Sequence, residues 1–104
     1  MFYSSKSAKL NEIEEDVKMC VLHAHGNISI GEFHFCPRAK KTASTTDASD
    51  LYCSVIQGRF ELELKKDRKI VDEGEVFRIP PHSNYSLQNV QTKHGIIQFR
   101  QINR

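Results

Sequence analysis

The side chains best suited to hold a metal ion are bunched early in the chain, where Cys20, His23, His25, His34 and Cys36 share one short stretch. His23-Ala24-His25 is an HxH pattern. Alternate residues of an extended strand share a face, so both imidazoles would point the same way. That arrangement suits a chelate and suits a wet outer face equally well. No CxxC spacing accompanies the histidines, and Cys20, Cys36 and Cys53 are an odd number. We read these groups as surface histidines and ordinary thiols, with no catalytic residue, metal or cofactor assigned. The cysteine pattern argues against a disulfide framework and for a reducing compartment.

The charged runs are weaker candidates. Arg38, Lys40 and Lys41 carry the charge to meet DNA phosphates or an acidic peptide. Three cations in a polar segment are usually just solvated, and Glu12, Glu14, Glu15 and Asp16 nearly balance them. A net charge of +2 over 104 residues is too mild to make nucleic acid the expected partner. A DNA contact does not follow from this sequence. Every apolar run is short, so no membrane span is expected. The start, Met1 to Lys6, lacks the apolar stretch of a signal peptide, and a cytosolic or nuclear protein is expected.

The elements that must position these groups are strands, because period-2 alternation dominates and helical periodicity is nearly absent. The clearest unit reads as a hairpin, Leu51–Ile56 and Arg59–Lys65, joined by Gln57-Gly58. A two-residue turn would set Val55 opposite Phe60, Cys53 opposite Leu62 and Leu51 opposite Leu64. One face is then apolar, while Tyr52, Ser54 and Ile56 share the other with Arg59, Glu61 and Glu63. Further strands are expected at 17–22, 28–35, 69–71, 75–79, 84–90 and 95–100. In the 28–35 strand the apolar parity changes from Ile28 and Ile30 to Phe33 and Phe35, which a β-bulge at Gly31-Glu32 would reconcile. The segment Pro37 to Asp50 reads as a long mobile loop. Residues 11–16 fit a helical turn or an extended segment. A chain of this length is one domain, with roughly two-thirds of its unfolded surface buried on folding. We divide it into an arm or extra strand, 1–16, and an all-β barrel, 17–104.

One stretch names the barrel. Gly74-Glu-Val-Phe-Arg-Ile-Pro80-Pro-His82-Ser-Asn-Tyr85-Ser-Leu-Gln-Asn89 resembles the second motif of the cupin superfamily, G-x5-P-x-G-x2-H-x3-N. Gly74, Pro80 and Asn89 fall in register. His82 stands at a glycine position, so a left-handed or strained backbone is expected there. Tyr85 stands where that family carries a metal-ligand histidine. Aligning Gly58 with the end of the first cupin motif puts Leu51 at the glutamate position and Ser44 and Thr46 near the two histidine positions. The resemblance implies a small antiparallel jelly-roll barrel. Hydroxyls, an aliphatic side chain and a phenol bind a transition ion poorly, so cupin metal chemistry is not expected with it.

Among metal-free cupins, the segment from Leu51 to Gln101 most resembles the C-terminal domain of centromere protein C. The resemblance rests on Leu51-Tyr52-Cys53-Ser54-Val55-Ile56-Gln57-Gly58, on Phe77-Arg78-Ile79-Pro80 with Asn84-Tyr85 and Asn89, and on the closing Phe99-Arg100-Gln101. It implies a nuclear protein of centromeric chromatin and the inner kinetochore, with a role in cell division. This domain would be its dimerisation module and would recruit partners such as loading factors for the centromeric histone. That family's nucleosome-binding motif ends in an aromatic-Trp pair, and this chain has no Trp. The expected function is therefore non-enzymatic homodimerisation and protein recruitment. The alternative is a small-molecule-binding or metal-dependent cupin enzyme with a non-standard site.

Two sets of residues follow as candidate sites. Leu51, Cys53, Phe60, Leu62, Phe77, Tyr85 and Leu87 alternate inward and would fill the barrel or line a pocket. A buried Tyr85 hydroxyl needs a partner: Ser54, a main-chain group or a bound peptide. Tyr52 and Ile56, two apolar groups on the wet face, would form a dimer patch with Phe2 and Tyr3.

Overall fold

The computed structural model describes residues 9–44 and 49–103, with the backbone alone at Ala43 and Ser44. Among these the chain forms ten strands and no helix. They are β1 (Asn11–Glu14), β2 (Val17–His25), β3 (Ile28–Phe35), β4 (Lys40–Ser44), β5 (Ser49–Gln57), β6 (Arg59–Leu64), β7 (Asp67–Asp72), β8 (Val76–Ile79), β9 (Asn84–Asn89) and β10 (Gly95–Asn103). Two antiparallel sheets face each other. One has the order β1-β2-β3-β10-β5-β8 and the other β4-β9-β6-β7. The all-β architecture expected from the alternation is observed, and the two sheets form the cupin-type barrel that the motif resemblance implies.

Inward alternation builds the core. Val17, Phe33, Phe35, Val55, Phe60, Ile79, Leu87, Ile97 and Phe99 are buried in one cluster between the sheets. The Phe33 and Phe99 rings stack at 4.5 Å between centroids, and Phe35 meets Phe60 edge-on at 4.9 Å. Such pairs add about 0.5–1.5 kcal/mol beyond their buried area. Gly31 is required where β3 crosses that ring stack, because a Cβ there would lie 2.6 Å from the Phe99 ring and 2.2 Å from the Cys20 carbonyl.

The hairpin expected across Gln57-Gly58 does not form. β5 pairs with β10 and β8, whereas β6 pairs with β9 and β7. Both edges of each strand are taken, so Gln57-Gly58 is a corner at which the chain passes between sheets. Gly58 adopts φ +102°, a conformation L side chains rarely take, and its N–H donates to the Glu73 carboxylate at 2.9 Å. Val55 and Phe60, Cys53 and Leu62, and Leu51 and Leu64 do point inward, but from opposite sheets. The tight hairpin is the next one, where β6 returns as β7 around Lys65-Lys66.

The bulge also lies elsewhere. β3 runs in unbroken register along β10, from Phe35 opposite Gly95 to Ile28 opposite Ile102. The irregular step falls on β2, between Val21 and His23. Ile28 and Ile30 differ in parity from Phe33 and Phe35 because they sit on the outer face. The polar segment Pro37 to Asp50 is not a continuous loop: β4 pairs along β9, and β5 starts at Ser49. The acidic segment is extended as β1, paired with β2, and Asp16 (φ 62°) turns the chain.

Candidate functional site

The second-motif residues gather at one end of β8 and along β9. His82, at the glycine position, has φ 60°, the left-handed backbone that position requires. Asn89 is fully buried and works as a clasp. Its Nδ2 donates to the carbonyls of Cys36 (3.2 Å) and Lys93 (2.7 Å), and its Oδ1 accepts from the Gln91 N–H (3.1 Å). It thereby ties the β3–β4 connection to the β9–β10 turn.

Tyr85 projects from β9 into the barrel and is buried. Its hydroxyl accepts a hydrogen bond from Lys41 Nζ at 2.8 Å. The sequence places Lys41 in a solvated basic run. It is instead 6% exposed, because β4 alternates: Lys40 faces out, and Lys41 enters the core beside Leu87. The ammonium lies 4.9 Å from the Phe33 ring centroid and 4.8 Å from that of Tyr85. Ser54, considered as a Tyr85 partner, lies on the outer face, opposite Val76 and Gln98, and does not serve.

This interior is electrostatically unusual. Burial lowers the Lys41 pKa, an effect that Glu14 and Cys53 oppose. Burial pushes the Cys53 thiol up to about 12, with Lys41 pulling the other way. Burial also raises the Tyr85 phenol, with Cys53 and Glu14 adding to the shift. Thiol and phenol are therefore neutral at ordinary pH, and Lys41 is the one buried cationic side chain among the described residues. Leu51, Cys53, Phe60, Leu62, Tyr85 and Leu87 are buried in the common core, with Phe77 half-buried against it. Of the two remaining family ligand positions, Ser44 is paired with Asn84 at the end of β4, and Thr46 lies outside the described residues. A lysine ammonium, a phenol and an aliphatic side chain do not fit a transition ion at the cupin position.

The second region is the outer face of the six-stranded sheet. Val76 is 70% and Ile56 50% exposed, and Tyr52 and Ile28 are each 38% exposed. Ile56 sits at an irregular step of the β5–β10 ladder, where Ile97 pairs with Val55 and Ile96 with Gln57. Ile30, Tyr52, Ser54, Val76, Gln98 and Arg100 line a shallow groove of about 250 Å³. Arg78 frames it, bonding the buried Asp50 and lying 6.0 Å from the Tyr52 ring. Phe2 and Tyr3, expected beside this patch, lie outside the described residues. Val76, the most exposed apolar residue here, was missed because Glu75 to Ile79 reads as a strand without revealing which face stays bare.

The early cluster of potential donors is split by the fold. His23 and His25 stack on each other at 6.3 Å, and Cys36 Sγ lies 3.8 Å from His94 Nε2. Cys20 and His34 come together, joined by Glu32, whose Oε1 is 2.9 Å from His34 Nε2. Burial, and then the Glu32 charge, raise the Cys20 thiol above its ordinary value.

The fold and its interior together define a cupin barrel whose family ligand positions hold no metal donors. A family model described as Mif2/CENP-C like matches residues 17–101. The chain belongs to the Mif2/CENP-C-like family and is a cupin module of the centromere-protein type. No curated protein matched it in a sequence comparison. Among solved structures it is similar to the Schizosaccharomyces pombe Cnp3 cupin domain, with TM-score 0.88 and 16% identity over 99% of this chain and 74% of that one. It is also similar to Drosophila melanogaster CENP-C bound to CAL1, with TM-score 0.82 and 17% identity over 99% of this chain and 85% of that one. A predicted oxalate decarboxylase from Thermotoga maritima superposes as well, with TM-score 0.87 and 13% identity over the whole of both chains. At such identities these likenesses establish the fold alone.

Proposed function

We propose that this chain is a non-enzymatic homodimerisation and protein-recruitment module of a centromere or inner-kinetochore scaffold, acting in the nucleus to maintain centromeric chromatin. The observation that carries the reading is the bare apolar face built from Tyr52, Ile56 and Val76 on a barrel of the Mif2/CENP-C-like family. A two-fold contact there is self-complementary and would cover apolar surface that a monomer leaves in water. The interior supports the same reading over the alternative of a metal-dependent or metabolite-binding cupin. Lys41 fills the space before Tyr85, and the donors a catalytic ion needs are missing at the family positions. Recruitment of centromeric-histone loading or kinetochore proteins is supported by the family and by the Drosophila relative described as bound to CAL1. The test is affinity capture from nuclear extract with the parent chain and Ile56→Arg. Enrichment of centromeric proteins by the parent supports the proposal. Capture of none, together with stoichiometric metal in the purified protein's interior, would overturn it.

A further inference from the structure

Three side chains on the outer face of the six-stranded sheet have the composition and spacing of an ion site. Cys20 on β2 stands directly opposite Glu32 on β3, and His34 lies two residues along β3 on the same face. Their ligand atoms, one sulfur, one carboxylate oxygen and one imidazole nitrogen, all lie within 4.8 Å of one another. We propose that Cys20, Glu32 and His34 bind one divalent transition ion of the zinc class, with water as the fourth ligand.

The donor set is one that zinc takes, combining thiolate, imidazole and carboxylate. Once the thiol has lost its proton to solvent on binding, the three groups carry two negative charges, which a dication neutralises. Tetrahedral zinc with bonds of about 2.0–2.3 Å needs donor separations of roughly 3.3–3.8 Å. The Glu32–His34 pair, hydrogen-bonded at 2.9 Å, must open slightly, and the Cys20 sulfur, within 4.8 Å of both, must close by at most about 1.5 Å, both movements within reach of side-chain torsions. The backbone frame is fixed: β3 lies inside the sheet between β2 and β10, and Met19 and Phe33, one step along each strand, pair on the core side. Cys20 is buried, while Glu32 and His34 keep 13% and 22% of their side chains exposed, enough for a hydrated ion to enter. The site does not use the barrel interior; it borders the outer-face groove, since Glu32 stands opposite the groove residue Gln98.

Cobalt(II) titration of the metal-free full chain tests the assignment. One equivalent should give a thiolate-to-cobalt charge-transfer band and the intense visible bands of four-coordinate cobalt, and zinc should abolish both. Cys20→Ser should lose the charge-transfer band, and His34→Ala and Glu32→Gln should each weaken binding at least tenfold. Cys36→Ser should leave the spectrum intact. Zinc should raise the unfolding temperature of the parent but not of His34→Ala, since a ligand stabilises only the state that binds it. Metal-free melting curves of every variant verify folding, so a misfolded Cys20→Ser leaves the His34→Ala and Glu32→Gln arms decisive. Absence of the band at one equivalent, or a band lost in Cys36→Ser and kept in His34→Ala, would overturn the proposal.

Discussion

Replacing Tyr85 by Phe removes a single atom from the barrel interior, the oxygen that accepts the Lys41 hydrogen bond at 2.8 Å. The ammonium then keeps two aromatic faces, at 4.8 and 4.9 Å, and the attraction of the Glu14 carboxylate, with no hydrogen-bond acceptor in place of the phenol. A hydrogen bond involving a charged group contributes about 1.5–3 kcal/mol. Tyr85→Phe should therefore destabilise the chain by about 2 kcal/mol, a fall of about 8–16 °C in Tm for a domain of this size. Lys41→Met behaves differently. It deprives the phenol of its donor, which costs about 1–3 kcal/mol. It also removes a buried cation whose desolvation penalty is several kcal/mol. The two effects oppose, and a net change within about 1 kcal/mol of zero is expected. In the double variant neither group needs the other, so stability should return to near that of the parent. The coupling is then about 2 kcal/mol, far outside the about 0.5 kcal/mol scatter of independent sites. The chain has no Trp, so urea unfolding is best followed by far-ultraviolet circular dichroism. A double variant less stable than Tyr85→Phe alone, with additive losses, would refute the interior pairing.

Two further outcomes follow from the same interior. The Cys53 thiol sits at about 12 in the folded chain against 9.0 when free, so above pH 9.0 the folded state keeps a proton that the unfolded chain loses. Stability should therefore fall as pH rises past 9.0, by about 1.4 kcal/mol per unit for one group. Tyr85, raised above 10.0, acts in the same sense, and Lys41, lowered below 10.5, acts in the opposite one. Cys53→Ala should flatten the slope by about one proton's worth, and urea titrations across that range with an unchanged slope would sink the assignment. Asn89→Ala removes three hydrogen bonds at a fully buried position and should cost about 3 kcal/mol. Its thermal melt, with faster hydrogen exchange at Gln91, checks this; a loss below about 1 kcal/mol would contradict the clasp.

Much of the barrel was legible because inward alternation is a local signal. Leu51, Cys53, Val55, Phe60 and Leu62 announce their face without their partners. Pairing is not local: Gln57-Gly58 suits a tight hairpin or a corner equally, and only the claims of β10, β8, β9 and β7 on the neighbouring ladders decide. Asn89 and the left-handed His82 were readable from motif spacing. Lys41 was not, because a lysine in a Thr- and Ser-rich segment carries no apolar signal, although its neighbour Lys40 faces solvent as the segment suggested. Glu32 escaped notice for a related reason. It is placed beside Cys20 by the β2–β3 register, which follows from a bulge on β2 that the sequence pattern assigned to β3. Tyr52 and Ile56 were found by parity, whereas Val76 joins them only through the β5–β8 ladder.

The central claim is that the bare sheet face joins two copies of this chain. Light scattering on the eluting peak measures it most directly, at micromolar concentration, for the parent chain and Ile56→Arg. A charge placed at a buried apolar contact is strongly destabilising to an interface, whereas at a position half open in the single chain it leaves the fold intact. The account predicts twice the chain mass for the parent and once the chain mass for Ile56→Arg, with superimposable circular dichroism spectra. A parent that elutes as a single chain, or an Ile56→Arg that keeps the doubled mass, would contradict it.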